Sequence, residues 1–242
     1  MITAHHVSNQ LVKQSDPIKK EVMQRFFKMG DGQYGQGDIF IGVSVPKIRT
    51  IAKANKEILL DEVQKLLCSP IHEERLIALF FMIEHYQKGD NFLQNQIFEL
   101  YMANMKYVNN WDLVDSSAEY IVGDFLSDKP RDLLVELAQR DDLWQKRIAI
   151  VATFYFIKRG EYQTTLCIAD TLLGDTHDLI HKAVGWALRE VGKRCGEAIL
   201  CEYLEANSSK MARMTLRYAI ERLEPEKRYY YLTKDKKFNQ KS

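Results

Sequence analysis

Polar-headed helical segments recur along this chain every 31–36 residues, and that period restricts the fold more than any other feature. The segments are EERLIALFFMIEH (73–85), NWDLVDSSAEYIVGD (110–124), QKRIAIVATFYFIK (145–158), HKAVGWALREVGK (181–193) and ARMTLRYAIER (212–222). Each opens on polar residues and continues with apolar side chains at helical spacing. Second helices fall between them: LLDEVQKLL (59–67), FLQNQIFELYMANM (92–105), PRDLLVELAQR (130–140), TTLCIADTLL (164–173) and EAILCEYLEA (197–206). Paired helices at this period predict an all-α fold, a single α-solenoid of HEAT-like or armadillo-like repeats in which each pair buries its apolar stripe against its neighbours. The expected domain runs over residues 1–232, and 233–242 reads as a basic, disordered tail.

Composition agrees with that class. With 12 Gly and 5 Pro in 242 residues, too few turn positions remain for a many-stranded fold. Strand character is confined to IFIGVSVP (39–46), after the Gly-rich stretch GDGQYGQGD (30–38), which has neither Walker nor Rossmann spacing. Proline marks the expected helix starts at Asp16-Pro17, Val45-Pro46 and Lys129-Pro130. Four scattered cysteines, Cys68, Cys167, Cys195 and Cys201, make neither a disulfide framework nor a zinc knuckle. The six histidines form no metal-ligand pattern, so neither metal nor cofactor is expected. No apolar run approaches the ~20 residues that span a bilayer, and a soluble cytoplasmic monomer is the expectation.

Net charge is only +1, so global charge does not make the chain a polyanion binder. The charge is nevertheless segregated: +4 over residues 1–60, −7 over 61–140 and +4 over 225–242. Any nucleic-acid site must therefore arise from local arrangement.

Residues at equivalent repeat positions fall near one another on the concave surface of a solenoid. Trp111 and Asp115, four apart, share a helix face; Arg147 lies one repeat beyond Trp111, and Trp186 two repeats beyond Asp115. Asp115 stands where the next repeat has Val151. Two indoles, a carboxylate and a guanidinium are thus expected to converge on one groove. Lys146, Lys182, Arg189, Lys193, Lys47, Arg49 and Arg213 are the candidate phosphate contacts.

The segments NNWDLVDS (109–116), LWQKRIAI (143–150) and HKAVGWALREVGK (181–193), with FIGVSVPKIR (40–49), resemble the AlkD-like DNA alkylation repair family of HEAT-repeat DNA glycosylases. The resemblance covers most of the chain. It implies excision of cationic N3- or N7-alkylated purines from double-stranded DNA, with Asp115 as catalytic carboxylate, Trp111 and Trp186 as aromatic walls and Arg147 on the DNA backbone. It further implies a groove rather than a base-flipping pocket. One departure is visible: where relatives place a tyrosine from an N-terminal helix near the lesion, this chain reads Arg25-Phe26-Phe27, and Tyr34 in the Gly-rich stretch is the alternative. A protein scaffold or a noncatalytic DNA-structure binder are the rival readings for such a solenoid.

Overall fold

The structure, a computed structural model, describes residues 1–238, with side-chain surroundings to Lys234. It is all-α and built from successive helix pairs, and it falls into two compact units, Met1–Ser117 and Ala118–Ser242. The sequence reading took 1–232 as one repeat domain; the division falls inside that span.

The first unit holds α1 (Ala4–Val12), α2 (Pro17–Phe26), α3 (Val45–Ala54), α4 (Leu60–Leu67), α5 (His72–Lys88), α6 (Asn91–Ala103) and the start of α7 (Trp111–Ala118). The helix starts are local chemistry: Thr3, Asp16 and Asp90 side chains accept free N–H groups of α1, α2 and α6, and prolines occupy the first turns of α2 and α3. Helix α5 is the centre, burying Ile77, Leu79, Phe81 and Met82 against α3, α4 and α6.

Residues 39–46 do not form a strand. Ile39 makes an isolated parallel bridge to Ile71, and no strand is present among the described residues. The apolar alternation instead reflects a buried loop, in which Phe40 and Val43 enter the core while the backbone N–H groups of Ile41, Gly42 and Val43 all donate to Glu73. Gly42 has φ +86°, and an added Cβ would collide with the Asp16 carbonyl, so only glycine fits.

The second unit continues with a π-helical turn (Glu119–Gly123), α8 (Asp132–Gln139), α9 (Leu143–Ala152), α10 (Phe154–Ile157), α11 (Gln163–Leu172), α12 (Asp178–Arg194), α13 (Glu197–Asn207), α14 (Arg213–Ala219) and α15 (Pro225–Phe238). Helix α9 packs on α8 and on α12, and α12 in turn on α13 and α14, which is the nearest-neighbour pattern of a repeat array. Helix α15 runs through the first six residues of the expected disordered tail. Lys234 meets Glu205 at 2.5 Å and the Tyr231 hydroxyl donates to the Cys201 carbonyl, tying α15 to α13. The remainder of that tail, 239–242, lies outside the described residues. Among those residues no helix is long and apolar enough to cross a membrane.

Candidate active site

Trp111 opens α7. Its backbone N–H donates to the Asn110 side-chain oxygen at 2.8 Å, and Asn110 is fully buried. The indole stacks on Phe27, with ring centres 5.2 Å apart and planes at 19°, and meets Phe26 edge-on at 5.7 Å. Phe27 is buried, whereas Phe26 is 63% exposed. The pair read from sequence as a departure thus forms an aromatic wall around Trp111, without a hydroxyl.

Beneath that wall lies a charged cluster that sequence reasoning missed. His72, at the start of α5, faces Asp38 through Nδ1 and Asp112 through Nε2, each at 2.8 Å. Arg75, one turn further along α5, bonds the other Asp38 oxygen at 2.5 Å and the Ser69 carbonyl at 3.0 Å. Asn110 donates to Asp38 at 3.4 Å. Within the cluster Asp38 and Asp112 face His72 and Arg75. Burial opposes charge on His72, yet hydrogen bonds to Asp112 and Asp38 push its pKa up to about 9. Burial likewise opposes ionised Asp38, but His72 and Arg75 hold its carboxyl below the usual range. The Gly-rich stretch ends at Asp38, delivering that carboxylate; Tyr34 within it sits over the Lys28 ammonium at 5.9 Å.

Asp115 follows Trp111 by one helical turn and is half-buried. Tyr101 senses its charge: burial first, and Asp115 in addition, drive the Tyr101 hydroxyl above its ordinary pKa, against a 3.0 Å hydrogen bond with Ser117. A carboxylate and an indole share one face of α7, beside an exposed phenyl ring. Such a face suits an aromatic cation.

In the second unit Trp186 is half-buried on α12, its ring 4.3 Å from that of Phe154. Arg147 is 5% exposed, and its Nη1 donates to the Leu179 carbonyl at 2.6 Å, joining α9 to α12. Lys146 pairs with Asp175 at 2.8 Å, Lys182 with Asp178 at 3.0 Å, and Arg189 with Glu221. Arg213 donates to the Leu232 carbonyl at 2.8 Å. In the first unit Arg49 lies over the Phe80 ring at 4.1 Å, and Lys47 is exposed in the first turn of α3. Lys193 lines a shallow pocket of about 270 Å³ with Arg189, Arg222 and Glu197.

With this geometry in view, the likeness to known proteins is decisive. A family model described as DNA alkylation repair enzyme matches residues 7–223, nine-tenths of the chain. The chain belongs to the DNA alkylation repair enzyme family. Membership gives it a role in alkylation repair, with DNA as its partner. A solved structure described as a predicted DNA alkylation repair enzyme from Enterococcus faecalis matches with a TM-score of 0.67 over 88% of this chain and 98% of that one. At 15% identity that likeness is one of fold. No curated protein matches the chain. The common helix face of Trp111 and Asp115 was legible from a four-residue spacing; His72 lies 34 residues from Asp38 and 40 from Asp112, and their contacts carried no local signal.

Proposed function

We propose that this DNA alkylation repair family member is a monofunctional DNA glycosylase that releases cationic N3- or N7-alkylated purines from duplex DNA. Alkylation puts a positive charge on the base, making it a good leaving group, so the reaction requires little proton donation. It requires stabilisation of the oxocarbenium-like sugar and a positioned water at C1′. Asp115 is assigned both tasks. Trp111 attracts the charged base, a contact worth about 0.5–2 kcal/mol. The observation that carries the reading is the common face of Trp111 and Asp115 on α7, bordered by Phe26 and Phe27. A groove without a base pocket would admit bulky adducts as well as methyl ones.

The test is base release from duplexes carrying a single N7-methylguanine or N3-methyladenine, comparing wild type with Asp115→Asn. Asp115→Asn is expected to lose at least about 10²-fold in release rate while binding duplex as before. Absence of release by wild type on both adducts, with binding intact, would replace the reading by a noncatalytic DNA-structure binder. Absence of binding as well would leave a protein scaffold.

A further inference from the structure

His72 is 1% exposed, and each of its ring nitrogens lies 2.8 Å from a carboxylate oxygen. A neutral imidazole carries one N–H, so one nitrogen would present a lone pair to an ionised carboxylate; between two ionised acids only the doubly protonated ring satisfies both contacts. The geometry alone therefore calls for a buried imidazolium.

Two routes lead from that ring to Trp111. The polar route runs through Asp112, the residue after Trp111, and through Asp38 and Asn110, whose side-chain oxygen accepts the Trp111 N–H. The aromatic route runs through Phe27, whose ring centre is 5.2 Å from both His72 and Trp111. Phe40 stacks on the imidazole at 4.3 Å and on Phe27 at 4.8 Å. Asp112 depends on this arrangement: its Oδ1 is buried without a hydrogen-bond partner among the described residues, so its bond from His72 through Oδ2 is what holds the carboxylate. Of the other charged groups nearby, Arg75 is engaged by Asp38 and Ser69, Glu73 by the 41–43 backbone and Glu74 by Ser8.

We propose that His72 is a positioning residue which, as an imidazolium clamped between Asp38 and Asp112, sets the first turn of α7 and thereby aims Trp111 and Asp115 at the substrate. This inference rests on the glycosylase reading for its catalytic consequence. The clamp itself is independent of that reading. Loss of the proton leaves a carboxylate facing a lone pair at one end, so the first turn of α7 shifts and the reacting groups with it.

The experiment uses the full chain and two readouts. Histidine and tryptophan NMR follows the His72 ring and the Trp111 indole through an alkaline titration. Single-turnover release of N7-methylguanine from duplex, corrected for release from duplex alone, is followed over the same pH range. Expected are a common alkaline midpoint for His72, for Trp111 and for the fall in release rate. His72→Gln is expected to bind duplex within about threefold of wild type, to release base about 10²-fold more slowly and to lose the alkaline limb. Asp38→Asn is expected to move the His72 midpoint and the alkaline limb downward together, which a merely structural residue would not do. His72 losing its proton below neutrality, a Trp111 signal indifferent to it, or a wild-type rate and profile in His72→Gln would each overturn the proposal. Were wild type to release no base, the glycosylase reading would fail separately, and the Trp111 signal would still decide the clamp: following His72 supports it, ignoring His72 overturns it.

Discussion

The two units handle charge in opposite ways. In Met1–Ser117 the charges around Trp111 are sealed in the interior: the His72 and Asp38 side chains are 2% and 3% exposed. In Ala118–Ser242 several cations that sequence pointed toward phosphate stand at the surface, already paired with nearby acids; Lys182 and Asp178 are 33% and 44% exposed. Breaking a buried pair leaves an uncompensated charge in low dielectric, whereas an exposed pair merely exchanges its partner for water. A count of lysines and arginines therefore says little about which ones reach DNA or hold the fold.

Stability as a function of pH puts the sharpest strain on this contrast. The His72 pKa is raised from 6.5 to about 9, so its stabilisation is complete below pH 6.5 and is lost as pH rises through about 9. At about 1.4 kcal/mol per tenfold change, that is a loss of about 3 kcal/mol. Urea denaturation at about pH 5.5 and about pH 10 measures it, and His72→Gln should remove most of the difference. A wild-type curve flat between those pH values would abolish the distinction between the units. Acid acts on both: Asp38, and Asp175 beside Lys146 and His177, are held below 3.8, so their contributions exist above that value and fade as pH falls.

Arg147 is the intermediate case, because it lies in the second unit yet is buried like the residues of the first. Arg147→Met should cost about 2 kcal/mol through the orphaned Leu179 carbonyl and the lost link between α9 and α12. Thermal denaturation and duplex binding, measured side by side, separate the alternatives. A large loss of affinity with an unchanged melting temperature would make Arg147 a DNA contact rather than a brace.

Lys182→Ala should have the smallest effect, under about 0.5 kcal/mol, since an exposed i,i+4 pair contributes little. If Lys182 stays with Asp178 in the complex, the salt dependence of duplex binding will be unchanged. A fall of about one in the slope of log affinity against log salt would instead show that Lys182 leaves Asp178 for a phosphate.

Much of this molecule is visible in its order of residues. The all-α class followed from helical periodicity at a 31–36-residue spacing, and the expected helices fall close to those observed: 164–173 against Gln163–Leu172, 197–206 against Glu197–Asn207. Trp111 and Asp115 share a face because four residues make about one turn, a fact of local geometry. Residues 39–46 misled because a loop can bury alternate side chains as a strand does, provided something satisfies its backbone; here Glu73, some thirty residues away, does so. Phe26 and Phe27 gave no sign of packing on Trp111, because that contact depends on how the chain folds back between α2 and α3.

The sequence by itself determined the helices, their repetition and the spacing that aligns an indole with a carboxylate, since each depends on residues within a few turns of one another. Only the tertiary structure decided which charges are buried, which are paired and which aromatic rings enclose Trp111. Asp38, His72 and Asp112 become a single unit when three distant segments exclude water from the same place, and the strength of their coupling comes from that exclusion.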